Sequence, residues 1–293
     1  MPELPEVETI RRGLEPVLTG VRVRRLVTQR PDLRFPLPEN FAGRIEGKRI
    51  ERLERRAKYL VAVLSSGEAL VMHLGMTGRF SVVTKNEAEQ LGAYIYDTGT
   101  DPKHDHVTFE LTGGTRVVYN DPRRFGFMVM MRDDERATHA LFRNMGVEPL
   151  GADLSPEYLA QRARGRKANL KAFLMDQRNI AGLGNIYVSE ALHRAGLSPD
   201  RAARFLSDAR GLPTDRARVL VPAITSVLEQ AIAAGGSTLK DYRHADGERG
   251  AFQESFAVYD RDGAPCVRPG CGGTVKRTVH TGRATFACKR CQR

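Results

Sequence analysis

Apolar positions recur with two different periods along this chain. After Met1-Pro2-Glu3-Leu4, Val7, Ile10, Leu14 and Val17 fall on one face at helical spacing. Gly20 ends that run, and Pro5 suits the first turn of a helix. From residue 21 to about 132 the signal changes to that of strands. The apolar run 60–64 turns at Ser66-Gly67 into 69–72, and 107–111 and 115–119 flank Gly113-Gly114 as a predicted hairpin. Residues 125–131 read as a further strand and the polar stretch 83–104 as a loop. Several antiparallel strands with turn signals predict a β-sandwich. From about residue 150 the period becomes helical, with candidates at 156–164, 167–176, 185–194 and 215–234. Ser155-Pro156 and Ser198-Pro199 have the form of a helix cap followed by proline. Pro222 is expected to kink or reset the last helix. Gly182-x-Gly184 separates the second candidate from the third, as in a helix–turn–helix.

A length of 293 residues suits two domains. No run approaches the eighteen or so apolar residues of a membrane span, and the N-terminus lacks the apolar core of a secretory signal. A cytoplasmic location is therefore expected. Charge sharpens the picture. Forty-six Lys and Arg against 35 Asp and Glu give a net +11, which favours a polyanionic partner through counterion release. A generally basic protein without such a partner is the alternative.

All four cysteines lie in the last 28 residues, as Cys266-x4-Cys271-x16-Cys288-x2-Cys291. Two close pairs separated by a hairpin length predict a closed four-thiolate zinc site with a structural role. Seven Lys or Arg and no acidic residue follow from Cys266 onward. Arg283, just after the predicted Thr281-Gly282 turn, can therefore be aimed at a phosphate, or can belong to a solvated face.

Excision of Met1 would expose Pro2 as a secondary amine. Its attack on a sugar C1′ yields an iminium that has no N–H to lose. It stays cationic, withdraws electrons from C2′, and makes loss of the 3′ phosphate easy. Glu3 and Glu6 are near enough in sequence to move protons. The positive end of the first helix favours the unprotonated amine.

The surrounding blocks make this specific. Residues 2–8 (PELPEVE), 55–60 (RRAKYL), 73–78 (HLGMTG), 103–106 (KHDH), 120–126 (NDPRRFG), 176–178 (DQR), 182–187 (GLGNIY) and 281–286 (TGRATF) occur in family order. Together they resemble the formamidopyrimidine-DNA glycosylases over almost the whole chain. The resemblance implies an α+β protein with an N-terminal β-sandwich led by a helix (1–132) and a linker (133–149). A helical helix–two-turn–helix domain (150–235), a lesion-capping loop (236–256) and a zinc-bound β-hairpin (257–293) would follow. It implies a bifunctional glycosylase and AP lyase that removes oxidised purines, with damaged duplex DNA in the cleft between the domains. By resemblance Pro2 is the nucleophile, Glu3 the main proton donor and Glu6 its assistant. Lys58 serves β-elimination and Arg283 serves δ-elimination. Met76, Arg123 and Phe125 form a wedge filling the space of an extruded base, core packing being the alternative for Met76 and Phe125. His73, His104, Arg166, Lys171 and Asn185 touch the DNA backbone. Zinc is the one expected cofactor, and the expected state is a monomer in the bacterial cytosol, associated with the nucleoid. The family usually has two residues within the first cysteine pair where this chain has four. That departure bears on the placement of Arg283. The sister endonuclease VIII group, which typically has Gly where this chain has Leu4, and a non-catalytic DNA-binding zinc protein are the rival readings.

Overall fold

Leu4–Leu18 form helix α1, with Val7, Ile10, Leu14 and Leu18 buried on one face. The computed structural model describes residues 2–84, 101–237, 252–280 and 282–293. The chain divides into two units, Met1–Arg143 with Ala234–Ala251, and Asn144–Ala233 with Phe252–Arg293.

In the first unit, α1 is followed by β1 (Val23–Thr28), α2 (Phe41–Ile45), β2 (Ile50–Arg56), β3 (Tyr59–Leu64), β4 (Glu68–His73), β5 (Arg79–Val83), β6 (Asp105–Leu111), β7 (Arg116–Asn120) and β8 (Phe127–Arg132). They build two four-stranded antiparallel sheets, ordered β1-β6-β7-β5 and β2-β3-β4-β8. Leu26, Phe80, Val107, Phe109 and Val117 from the first sheet share one apolar cluster with Leu53, Leu60, Ala62, Leu70 and Met72 from the second. The apolar face of α1 completes that cluster, so the expected sandwich with a leading helix is present.

The second unit holds α3 (Pro156–Ala163), α4 (Leu170–Met175), α5 (Asn185–Ala195), α6 (Asp215–Ala233) and the antiparallel hairpin β9 (Val275–His280) with β10 (Arg283–Cys288). Helix α5 packs on α6 and on β10. Val258, Val275 and Phe286 form a small core beneath the hairpin. Among the described residues no helix is long and apolar enough to cross a membrane.

Four local expectations are corrected. The last strand of the sandwich begins at Phe127 rather than Phe125, because a turn closed by Arg124 N–H on Asp121 C=O keeps 122–125 out of the sheet. Helix α4 starts at Leu170, where the Asn169 side chain accepts from Ala172 N–H, since 168–169 are paired with 202–203. Ser198-Pro199 caps no helix; Ser198 Oγ accepts from Asp200 N–H and its carbonyl from Arg201 N–H, giving a tight turn. Helix α6 runs through Pro222 without being reset, held by buried Ala217, Leu220, Ile224, Val227 and Leu228. Most of the 83–104 loop and residues 238–251 of the capping loop lie outside the described residues.

Candidate nucleic-acid interface and metal centre

Pro2 is buried one residue ahead of the Glu3 cap of α1. Glu3 N–H donates to Glu6 Oε2 at 2.8 Å, part of a capping box that stiffens the first turn. Glu6 Oε1 accepts from Ser237 N–H (2.8 Å) and Ser237 Oγ (2.9 Å). A Cβ on Gly236, whose φ is +86°, would stand 3.1 Å from that same oxygen, so glycine suits the close approach. Two buried carboxyl-bearing side chains thus sit at the positive end of a helix beside the proline.

Lys58 occupies the two-residue turn between β2 and β3, directly after Ala57, which holds a left-handed φ of 53°. Arg55 fixes this turn, donating through one nitrogen to Ala57 C=O (3.1 Å) and through another to Glu8 Oε2 (3.1 Å). Burial would raise the Glu8 carboxyl, but Arg11, Arg12 and Arg55 around it hold it below the usual range. Glu8 therefore couples the first helix to the turn that carries Lys58. His73, at the end of β4, accepts Gly75 N–H on Nδ1 (3.0 Å) and stacks on Phe127 (5.1 Å between ring centres). Burial, then the charges of Lys58 and Arg34, bring it down to about 4. At neutral pH it is an uncharged ring whose Nε2–H is its donor.

Met76 is half-buried, while Arg123 and Phe125 are exposed. The Arg123 guanidinium lies over the Phe125 ring, 4.8 Å from its centre. Phe125, at 44% exposure, is not a core residue. His104 is partly exposed at the end of a short 3₁₀ turn, Pro102–His104.

In the second unit the double turn between α4 and α5 is stapled by Gln177. Its side chain accepts from Gly182 N–H (2.7 Å) and donates to Met175 C=O (3.0 Å) and Leu183 C=O (2.8 Å). Asn185 is the first residue of α5 and donates to Ala284 C=O (3.1 Å). Lys171 is 1% exposed. Its ammonium donates to the same carbonyl and to Thr285 Oγ1, both at 2.6 Å. The Lys171 side chain thus faces the hairpin rather than solvent, whereas Arg166 and Arg283 are exposed. His280, opposite Arg283 in the hairpin, bonds to Thr285 Oγ1 (2.9 Å) and Asp200 (2.6 Å). Glu190, reaching from α5, accepts from the N–H groups of Ala257, Val258 and Tyr259 (2.8–3.0 Å) and docks the segment leading into the hairpin.

The four cysteine sulfurs lie within 4.8 Å of one another, with Cys266–Cys291 at 3.7 Å and Cys271–Cys288 at 3.6 Å. A disulfide needs about 2.05 Å, whereas a tetrahedron with metal–sulfur bonds of about 2.3 Å has edges of roughly 3.8 Å. The set fits a metal ion. The sulfurs ionise unequally. Burial pushes Cys291 up to about 12, while at Cys288 the N–H groups of Cys291 and Arg290 outweigh burial and bring it to about 7. The longer first knuckle is tied to the end of α5. Arg268 donates to the carbonyls of His193 and Arg194, and His193 Nε2 lies 3.4 Å from Cys266 Sγ.

Residues 1–128 match the formamidopyrimidine-DNA glycosylase N-terminal domain, and residues 145–243 match the formamidopyrimidine-DNA glycosylase H2TH domain. The chain belongs to the formamidopyrimidine-DNA glycosylase family. A formamidopyrimidine-DNA glycosylase of Methylobacterium nodulans is 58% identical over 294 residues, covering 100% of this chain and 99% of that one. One from Beijerinckia indica is 56% identical over the full length of both. Among solved structures, Lactococcus lactis Fpg with abasic-site DNA aligns over 100% of both chains at a TM-score of 0.83 and 29% identity. The MutM (Fpg) protein of Thermus thermophilus aligns at 0.79 and 41% identity, over 99% of this chain and 98% of that one.

Within this glycosylase fold the first unit contains Pro2, Glu3, Glu6, Lys58, His73, Met76, His104, Arg123 and Phe125. The second contains Arg166, Lys171, Asn185, Arg283 and the cysteines. Sequence reasoning missed Glu8, Gln177 and Glu190. Glu8 and Glu190 reach partners distant in sequence, Arg55 and residues 257–259, while Gln177 bonds within its own double turn. The one available signal was that Glu8 and Gln177 fall inside family motifs.

Proposed function

We propose that the protein is a base-excision repair enzyme that removes oxidised purines, 8-oxoguanine and formamidopyrimidines, from duplex DNA and then cuts the strand, acting as a monomer in the bacterial cytosol. The observation that carries this reading is Pro2 placed at a helix N-terminus beside buried Glu3 and Glu6, in a chain of this family.

The Pro2 nitrogen forms a bond to C1′ as the N-glycosidic bond breaks, and the base departs with the bonding pair and a proton. Loss of the amine proton and rupture of C1′–O4′, with Glu3 delivering a proton to O4′, leave the cationic iminium. A base removes a C2′ proton, and the 3′ phosphate leaves with the C3′–O pair. Lys58, at its strained turn, serves this step. The second elimination expels the 5′ phosphate with Arg283 beside it, and water then frees Pro2. Glu6, bonded to Ser237, orients Glu3 and the first described residues of the lesion-capping loop. Met76, Arg123 and Phe125 occupy the vacated stack, and His73, His104, Arg166 and Asn185 hold the phosphates. The four thiolates bind one zinc, which supplies no chemistry beyond fixing the hairpin, since a closed sulfur shell leaves no position for substrate.

Borohydride trapping tests the reading. The full chain, after removal of Met1, is expected to form a covalent adduct with a duplex carrying 8-oxoguanine opposite cytosine, and Pro2→Gly to lower the yield severely. Undiminished trapping in Pro2→Gly overturns Pro2 as nucleophile. Excision of thymine glycol in preference to 8-oxoguanine overturns the substrate class.

A further inference from the structure

Asp121 follows β7 and is completely buried, yet no reading of the sequence gave it a role. Its Oδ1 accepts from Thr77 Oγ1 at 2.5 Å. Its Oδ2 accepts from Gly126 N–H at 2.9 Å and from the Tyr119 hydroxyl at 3.2 Å. Its backbone N–H donates to His104 C=O (3.0 Å), and its own carbonyl accepts from Arg124 N–H (3.1 Å) and faces His106 Nε2 (2.9 Å). The Thr77 hydroxyl, having donated to Asp121, accepts from Arg123 N–H at 3.2 Å. The carboxylate therefore engages the neighbour of Met76, the neighbour of Phe125 and, through one hydroxyl, Arg123 itself.

Packing reinforces the bonds. A Cβ on Gly75 would fall 2.2 Å from the carbonyl carbon of Phe125, and one on Gly78 or Gly126 would fall 2.3 or 1.8 Å from the Tyr119 hydroxyl. The loops 74–78 and 122–126 thus interlock at backbone distance, with Tyr119 between them. Burial, then the adjacent Asp121, raises the Tyr119 phenol well above its ordinary range and keeps it a donor. An acceptor-only group is the one side chain that takes a threonine hydroxyl, a phenol and an amide together. A donor left unmet at this depth loses its water without gaining a partner, so all three hold the carboxylate in place.

We propose that Asp121 is a positioning residue that fixes the spacing and aim of Met76, Arg123 and Phe125, with the Thr77 hydroxyl as its relay between the two loops. This rests on the reading that these three side chains enter the stack. Aiming them in advance removes loop ordering from the cost of insertion.

The test uses the full zinc-loaded chain and a duplex with an abasic-site analogue flanked by 2-aminopurine, whose fluorescence rises when the stack opens. Thr77→Val keeps the shape of the side chain and removes the relay. It is expected to slow the fluorescence step and lower kcat/KM on lesion duplex by about tenfold or more. Borohydride trapping on single-stranded abasic DNA, which needs no wedge, should stay within about twofold. Thr77→Ser restores the step. Asp121→Asn, placing an NH2 among three donors, has a larger effect, and a thermal melt separates misfolding from mispositioning. A normal fluorescence step in Thr77→Val overturns the proposal. A normal step in Phe125→Ala overturns the wedge reading itself, and the two failures are told apart because they arise in different variants.

Discussion

Acidification from pH 7.5 to 5.0 should destabilise the first unit through His73 in particular. Its folded value of about 4 lies below the ordinary 6.5, because the ring is buried and faces the charges of Lys58 and Arg34. The unfolded chain therefore binds a proton that the folded chain refuses. Stability from this group is present above the unfolded value and is lost as pH falls toward the folded one, in the window from 6.5 down to about 4. At pH 5 the linkage amounts to roughly 2 kcal/mol, and to about 1 kcal/mol once the ring's partial solvent access is allowed for. His73→Asn is the matching variant, since an amide oxygen can take the place of Nδ1 toward Gly75 N–H without titrating. Urea denaturation at both pH values, for both proteins, isolates the effect. The wild type should lose about 1–2 kcal/mol more than the variant between pH 7.5 and 5.0. Lost ring stacking cancels, because it weakens the variant equally at both pH values. Parallel losses, within about 0.3 kcal/mol, would refute the reasoning.

Lys171→Met removes both 2.6 Å bonds to the hairpin. On the proposed role of Arg283, its looser placement should slow the second elimination by about tenfold relative to the first, read from the ratio of cleavage products on a sequencing gel. His193→Ala removes the ring beside Cys266 Sγ and should weaken metal retention by about tenfold, followed by transfer to a chromophoric chelator. Complete chelation should abolish DNA binding while circular dichroism still shows the folded β-sandwich; unchanged affinity would exclude a metal-organised surface.

The apolar runs at 60–64 and 69–72 and the Gly113-Gly114 hairpin were legible because each strand's partner lies nearby in sequence. The cysteine cluster was legible because ligand spacing carries the geometry. The Phe125 strand start was misread because apolar character does not distinguish a strand residue from an exposed aromatic displayed on a turn. The burial of Lys171 was invisible for a related reason: a lysine in a basic segment looks solvated until its carbonyl acceptor, 113 residues away, is brought to it. Thr77 and Asp121, 44 residues apart, meet through sheet register rather than any local pattern. Asp121 lies in the 120–126 block, where roles were assigned only to Arg123 and Phe125.

The bond from Ser237 to Glu6 spans 231 residues of sequence. During synthesis the N-terminal proline and its two glutamates emerge early, but Glu6 lacks its serine donors until residues 144–233 have also been made. Newly synthesised chains therefore complete the Glu6–Ser237 bond only after the helices of the second unit have been made. The first turn of the first helix thus gains its last bonding partner late in synthesis, however early its own residues leave the ribosome.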